Sequence, residues 1–228
     1  MSTYTFAVPE TVALPVAGTD AKFPVRRVYC IGRNYAAHAV EMGHDPDREP
    51  PFFFQKNPNN LDPSGQFRYP PKSSDVHHEF EMAVMLKSGG ENIAIEDALT
   101  HVYGYALSLD MTRRDLQGEQ KKMGRPWEIG KAFEYSAPVG VIHTVDEVGH
   151  PDQGKIELKV NKEIKQSGDL NQMIWKVPEM ISYLSDYFIL AAGDVSLSGT
   201  PAGVGPVNKG DVMELSIEGL GEMEVTVV

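Results

Sequence analysis

Val76-His-His-Glu79-Phe-Glu81-Met-Ala-Val-Met-Leu86 combines the pattern of a β-strand with two closely spaced acids. Apolar side chains alternate along this segment, which is typical of a strand with a buried face; they are Phe80, Met82, Val84 and Leu86. Because strand side chains have a period of two, Glu79 and Glu81 fall together on the opposite face. The sequence therefore predicts a strand that carries two carboxylates side by side.

The burial of these two carboxylates decides between two interpretations. If they are buried, they repel each other and must be paired, neutralised or bound to a metal ion. Oxygen ligands alone favour a hard cation such as Mg²⁺, Mn²⁺ or Ca²⁺. If the strand is half-exposed, the two acids form a pair that faces solvent. The apolar strand predicted over residues 102–110 also ends in an acid, Asp110, which supplies the third carboxylate that a metal site needs.

Length, charge and cysteine content limit the class of protein. The chain has 228 residues and a formal net charge of −11. Its length fits one large domain or one domain with a small appendage, and its acidic balance argues against nucleic-acid binding. The single cysteine, Cys30, excludes an intrachain disulfide and lies in an apolar segment that predicts a core strand. With no signal peptide and no run of about 18 apolar residues, we expect a soluble cytoplasmic protein without a membrane partner.

A second pair of polar residues lies on a predicted short helix over residues 35–42. His38 and Glu41 are three residues apart and therefore share one helix face. They form either a surface pair worth roughly 0.2–0.5 kcal/mol or an imidazole that a carboxylate orients for use as a general base. Spacing alone leaves both interpretations open.

Two lysines, a predicted helix start and a glycine-rich run complete the set of candidate features. Lys56 ends an apolar strand and faces either a site or solvent, and Lys131 either reaches solvent or lies beside an anion. Residues 112–115 predict a capping box that opens a helix to about Lys122. The glycine-rich run 199–205 is either a tight turn or a backbone cradle for a carboxylate or oxyanion. Many short strands without a βαβ alternation favour a β-rich fold over a doubly wound sheet.

Six segments, taken in order, resemble the fumarylacetoacetate hydrolase family. They are Tyr29-Cys-Ile-Gly-Arg-Asn-Tyr-Ala-Ala-His38, His77-His-Glu-Phe-Glu81, Gly104-Tyr-Ala-Leu-Ser-Leu-Asp110, Thr112-Arg-Arg-Asp-Leu-Gln117, Lys131-Ala-Phe133 and Gly199-Thr-Pro-Ala-Gly-Val-Gly205. The similarity covers about residues 26 to 226. It is greatest to the short acylpyruvase and fumarylpyruvate hydrolase members of the family.

The resemblance implies a fold and a set of site residues. The fold is α+β and β-rich, a mixed β-roll with a few short helices over residues 26–228, preceded by an arm or hairpin over residues 1–25. The family usually forms homodimers and uses Mg²⁺ or Mn²⁺, whose ligands would be Glu79, Glu81 and Asp110. His38 and Glu41 match the family's water-activating dyad, and Lys131 matches its active-site lysine. Contacts to the substrate or to metal-bound water are implied for Arg33, Arg114, Gln117 and Thr200.

The resemblance also implies a reaction, the hydrolysis of a C–C bond in an acylpyruvate (a 2,4-diketoacid). Fumarylpyruvate from the breakdown of aromatic compounds is the favoured substrate, with fumarate and pyruvate as products. The cation would hold an enolate, His38 would take a proton from water, and Lys131 would stabilise an oxyanion by about 3 kcal/mol. One alternative is decarboxylation of oxaloacetate on the same metal, which does not need His38 as a water activator. Another is a catalytically silent metal-binding scaffold.

Overall fold

The computed structural model of this chain describes residues 3–37 and 50–228, and β-strands dominate it. The largest sheet has six strands. From edge to edge they are β12 (His143–Thr144), β9 (Val102–Leu109), β8 (Phe80–Leu86), β15 (Asp194–Leu197), β3 (Arg27–Gly32) and β4 (Phe52–Lys56). The pair β15–β3 is parallel and the other neighbours are antiparallel, so the sheet is mixed.

A second sheet of five strands shares a hydrophobic cluster with the first. In order, its strands are β14 (Glu163–Asp169), β13 (Lys155–Val160), β17 (Val212–Ile217), β18 (Gly221–Val227) and β6 (Gln66–Phe67). Phe80 and Met82 of β8 lie in this shared cluster with Leu158 of the second sheet, whereas Ala83 lies in a different cluster. Every residue of β8 is buried. The half-exposed strand, one of the two interpretations of the acidic pair, is therefore wrong.

Three small sheets complete the strand arrangement of the described residues. One contains, in order, β10 (Thr112–Arg113), β7 (Val76–His78) and β16 (Gly205–Pro206). The others are an antiparallel pair of β1 (Ala13–Pro15) with β2 (Lys22–Pro24) and a parallel pair of β5 (Leu61–Asp62) with β11 (Ala137–Pro138). Leu14 and Phe23 of the β1–β2 hairpin are buried against residues of the six-stranded sheet. A domain boundary after residue 25 stays a prediction.

The strand predicted over residues 76–86 is interrupted at Glu79. β7 pairs with β10 and β16, whereas β8 pairs with β9 and β15. At the junction the Glu79 carbonyl accepts a hydrogen bond from the Asp110 N–H at 2.8 Å. The Phe80 N–H donates to the side chain of Gln166 at 3.0 Å. A single continuous strand is thus wrong, because the chain leaves one sheet and enters another at the residue that carries the first acid.

The helices of the described residues are short. α-Helices cover Ile95–Ala98, Arg114–Lys122, Glu128–Lys131, Val145–Val148 and Val177–Tyr187, and 3₁₀ turns cover Pro58–Asn60, Leu99–His101 and Leu170–Gln172. None of these helices has the length and apolar character needed to cross a membrane. The predicted capping box at residues 112–115 is wrong, because the helix has Arg113 as its N-cap without a side-chain cap, and the Thr112 hydroxyl has the Asp110 carbonyl and Glu79 Oε1 as acceptors. The β-rich α+β class is confirmed.

Candidate metal and substrate site

Three buried acids meet where β7, β8 and β9 come together. Glu79 lies at the junction of β7 and β8, and Glu81 is the second residue of β8. Asp110 follows β9, whose antiparallel pairing with β8 sets Leu109 opposite Phe80. One oxygen from each of the three carboxylates lies within 4.8 Å of the others. The metal-ligand set implied by the sequence is therefore assembled in one place.

The ammonium group of Lys131 lies between two of these acids. Its Nζ is 3.0 Å from Glu79 Oε2 and 2.7 Å from Asp110 Oδ2, and it donates to the Thr112 hydroxyl at 2.7 Å. These contacts use all three N–H donors of an ammonium. Burial lowers the pKa of Lys131, but the negative charges of Asp110 and Glu79 outweigh burial and leave the pKa raised. Lys131 therefore lies beside anions, which is one of the two interpretations that the sequence left open.

Lys56 is a second buried lysine that contacts the site from β4. Its Nζ lies 2.9 Å from Asp110 Oδ1 and 2.9 Å from the Ser136 hydroxyl, and it donates to the backbone carbonyl of Lys131. The residue is 3% exposed. Lys56 and Lys131 thus pair with opposite oxygens of Asp110. The sequence left open whether Lys56 faces a site or solvent; it faces the site.

Glu81 is the acid whose environment calls for a cation. It is 2% exposed, and its Oε2 accepts a hydrogen bond from the Gly199 N–H at 2.7 Å. Within the described part of the chain, no basic side chain forms an ion pair with it. Burial, followed by the charges of Asp110 and Glu79, raises the pKa of Glu81 well above its usual range. Buried carboxylates that lack a cationic partner fit a divalent ion with oxygen ligands.

The acid cluster opens into a cleft with a cationic and aromatic lining. Arg33 follows β3, Lys121 belongs to the helix Arg114–Lys122, and the rings of Phe52 and Trp127 lie beside them. The two rings meet edge to face with centroids 5.5 Å apart. At the inner end, the guanidinium of Arg114 pairs with Glu79. The cleft therefore offers positive charge and an aromatic surface next to the three acids.

The residues implied as substrate contacts separate into two groups. Arg33, Arg114 and Gln117 line the cleft. Thr200, in contrast, is buried. Its hydroxyl donates to the Phe80 carbonyl at 2.8 Å and accepts from the side chain of Gln166 at 2.8 Å. Its predicted substrate contact, like those of the other three, stays a prediction.

The predicted dyad lies outside the described residues, and two residues of the site, Gln166 and Lys56, have partners that the sequence did not specify. His38 and Glu41 lie outside the described residues, so their role stays a prediction. Gln166, which had no predicted role, accepts from Phe80 N–H and donates to both Thr200 and the Pro201 carbonyl. No local pattern marks such a residue, because its partners come from distant strands. Lys56 had a signal, a lysine at the end of an apolar strand, but it did not specify a partner.

Comparison with known proteins gives a family and close relatives. Residues 27–228 match the family described as Fumarylacetoacetate (FAA) hydrolase C-terminal. A crystal structure of fumarylpyruvate hydrolase from Pseudomonas aeruginosa, in complex with Mn²⁺ and pyruvate, is 50% identical in sequence. It superposes with a TM-score of 0.97, and the match covers 99% of each chain. The fold predicted from the resemblance is confirmed by this likeness.

Two further relatives are named for reactions of oxaloacetate. An oxaloacetate tautomerase of Escherichia coli strain K12 is 39% identical over 203 residues, which is 89% of this chain and 93% of that protein. A mitochondrial oxaloacetate decarboxylase of Dictyostelium discoideum is 39% identical over 197 residues, which is 86% of this chain and 90% of that protein.

Proposed function

Because the chain belongs to the fumarylacetoacetate hydrolase family, we propose that it is a metal-dependent hydrolase of acylpyruvates, with fumarylpyruvate as the favoured substrate. Water adds to the acyl carbonyl, the bond from that carbon to the neighbouring methylene breaks, and the methylene carbon takes up a proton. Fumarylpyruvate yields fumarate and pyruvate in this way. The reaction consumes one water and needs no redox partner.

The observation that carries the proposal is the cluster of three buried carboxylates at the inner end of a cationic cleft. Glu79 and Asp110 share the charge of Lys131, but Glu81 forms no ion pair with a described residue. A similar protein, 50% identical, is a fumarylpyruvate hydrolase in complex with Mn²⁺ and pyruvate. Pyruvate is one product of the proposed reaction.

The residues of the chain have separable roles in this proposal. A divalent cation, Mg²⁺ or Mn²⁺, held by Glu79, Glu81 and Asp110 would act as a Lewis acid toward the 2-oxo acid end of the substrate. Arg114 uses three of its five N–H donors on Gln117, Glu79 and His77 within the described residues. The other two are available to a substrate carboxylate, a pairing that Arg geometry suits.

The proton-transfer groups follow from the same chemistry. His38, oriented by Glu41, is the proposed base that removes a proton from the attacking water. Lys131 donates its three N–H groups to Glu79, Asp110 and the Thr112 hydroxyl. For Lys131 to stabilise an oxyanion, it must release one acceptor, and the neutral Thr112 hydroxyl is the one that costs least.

A substrate panel tests the proposal. Purified protein with Mg²⁺ is assayed on fumarylpyruvate, acetylpyruvate, fumarylacetoacetate and oxaloacetate, and kcat/KM is compared. We expect the highest value for fumarylpyruvate and loss of turnover on chelation of the metal. Absence of turnover on every diketoacid refutes the hydrolase, and absence on oxaloacetate as well favours the silent scaffold.

Conversion of oxaloacetate is the second candidate function. Relatives 39% identical are named oxaloacetate tautomerase and oxaloacetate decarboxylase. Decarboxylation does not need a base that activates water, so His38→Ala separates the two reactions. We expect this variant to lose acylpyruvate hydrolysis and to keep any oxaloacetate decarboxylation. Unchanged acylpyruvate hydrolysis in the variant would remove His38 from the proposed mechanism.

The expected homodimer, cytoplasmic location and role in aromatic-compound breakdown are part of the proposal. Light scattering coupled to size-exclusion chromatography tests the dimer, because the monomer has a mass of 25.2 kDa. A mass near twice that value supports the dimer, and a mass near 25.2 kDa contradicts it.

A further inference from the structure

Lys121 lies at the outer part of the cleft, away from the acid cluster, and neither the metal nor the predicted mechanism uses it. Its Nζ is 5.9 Å from the centroid of Trp127. Trp127 packs edge to face on Phe52, and Arg33 lies 5.0 Å above the ring of Phe52. Two cations therefore sit on one aromatic platform and line the same cleft.

Among the described residues of this cleft, Lys121 adds a positive charge beside Arg33 and Arg114. Lys121 has no acidic partner within ion-pair distance there, and the whole chain carries a formal charge of −11. Partial burial, followed by the charges of Arg33 and Arg114, lowers the pKa of Lys121. A lysine that merely interacts with the C-terminal end of its helix would be stabilised in its charged form. Repulsion from Arg33 and Arg114 adds to the effect of burial, so a carboxylate bound beside Lys121 would be stabilised.

The helix Arg114–Lys122 sets the distance between two cations of the cleft, Arg114 and Lys121, that a substrate with two carboxylates would have to span. Arg114, Gln117 and Lys121 are spaced by three and four residues, so they share one face of the helix Arg114–Lys122. Arg114 and Lys121 are seven residues apart, which corresponds to about 10 Å along the axis. The cleft thus presents one cation beside the acids and another about two turns away.

The length of the substrate's carbon chain decides which substrate fits the spacing between Arg114 and Lys121. A seven-carbon chain has terminal carbons about 7.5 Å apart when extended, from C–C bonds of about 1.5 Å. Adding a hydrogen bond at either end spans the helical distance. The four-carbon chain of oxaloacetate extends only about 4 Å between its terminal carbons. A planar, conjugated acyl group would also stack on the platform of Phe52 and Trp127.

We propose that Lys121, together with Arg33 on the same Phe52–Trp127 platform, binds a carboxylate at the far end of the acyl group. The chain is thereby selective for acylpyruvates that carry this second carboxylate. The inference rests on the proposed acylpyruvate hydrolysis and names the part of the site that recognises the fumaryl end. Lys121 is a substrate-binding residue in this proposal and takes no part in bond cleavage.

The test compares Lys121→Met with Lys122→Met, a matched control with the same change of charge at the next residue, which does not line the cleft. The kcat/KM values for fumarylpyruvate and for acetylpyruvate, whose acyl group ends in a methyl, are measured with Mg²⁺. We expect Lys121→Met to lower the ratio of the two values about 10-fold to 100-fold, the effect of one charge-assisted hydrogen bond. Lys122→Met should leave the ratio as in the parent chain. Equal losses on both substrates, or an unchanged ratio, overturn the inference.

A binding measurement separates failure of this inference from failure of the proposed function. Calorimetric titration of the Mg²⁺-loaded chain with fumarate should give a Kd about 10-fold weaker in Lys121→Met than in Lys122→Met. If the parent chain turns over no acylpyruvate but this difference in Kd persists, the hydrolase is wrong and the anion site stands. If fumarylpyruvate is hydrolysed and the two variants bind fumarate equally, the anion site is wrong and the hydrolase stands.

Discussion

Replacing Lys56 by Met should destabilise the protein, although Lys56 does not line the cleft. The side chain keeps its length but loses the charge that lies 2.9 Å from Asp110 Oδ1. It also loses the hydrogen bonds to the Ser136 hydroxyl and the Lys131 carbonyl. Removal of one partner from a buried ion pair costs about 3–5 kcal/mol, because the other charge stays buried. A domain stable by about 10 kcal/mol, the middle of the usual range, still folds after that loss.

Thermal unfolding gives the measurement for Lys56→Met. For a chain of this size, a loss of about 3–5 kcal/mol corresponds to a fall in Tm of roughly 6–20 °C. The matched control is Lys165→Met, which removes an exposed pair with Glu163 whose N–O distance is 2.8 Å. An exposed pair is worth about 0–1 kcal/mol, so the control should shift Tm by no more than about 4 °C.

The metal provides a second observation on the same variant. Without Lys56, one oxygen of Asp110 lacks a cationic partner, so binding of Mg²⁺ relieves more repulsion than in the parent chain. Saturating Mg²⁺ should therefore raise the Tm of Lys56→Met by more than it raises that of the parent. A variant with the parent's Tm and the parent's response to Mg²⁺ would refute the account of Lys56 as a stabilising ion-pair partner of Asp110.

Three further predictions concern other parts of the described structure. Glu81→Gln should fold and lose Mg²⁺-dependent stabilisation and activity, whereas a Tm that still rises with Mg²⁺ would remove Glu81 from the ligand set. Burial lowers the pKa of His78 to about 4, so the unfolded chain takes up this proton first and stability falls from about pH 6.5 to 4, by up to about 3 kcal/mol. His78→Asn should flatten that part of a pH series of urea unfolding, and an unchanged slope would contradict the assignment. Lys162 has a φ of 71° in the turn between β13 and β14, so Lys162→Gly should raise the free energy of unfolding by about 1 kcal/mol with unchanged kcat; a fall in stability would contradict the strain.

The residues that the sequence located correctly are those whose signal is local. The alternation around Glu79 and Glu81 follows from the strand period, and both acids are buried. Asp110 directly follows the apolar run that predicts β9. In each case a few neighbouring residues carry the information, and the pairing of β8 with β9 then brings the three acids together.

The features that escaped prediction depend on contacts between distant segments. The break at Glu79 exists because a side chain from β14, Gln166, takes the N–H of Phe80. The partner of Lys56 is 54 residues away in sequence and becomes adjacent only when β4 joins the edge of the large sheet. Thr112 fits a capping pattern, but its hydroxyl has the Glu79 carboxylate and the Asp110 backbone carbonyl as acceptors instead. Tertiary contacts override local preference at each of these places.

Acidic and basic side chains of the cluster are equal in number among the described residues, with Glu79, Glu81 and Asp110 against Lys56, Lys131 and Arg114. A divalent ion added to this set leaves an excess of two positive charges, which a doubly charged anion in the cleft would cancel. If the chain binds a divalent ion and an acidic substrate as proposed, each would favour the other's binding, and thermodynamic reciprocity would make the two effects equal in magnitude. The affinity for the ion should rise when substrate is abundant and fall as products depart. Loading of the metal would then respond to the supply of the substrate acid rather than being a fixed property of the folded chain.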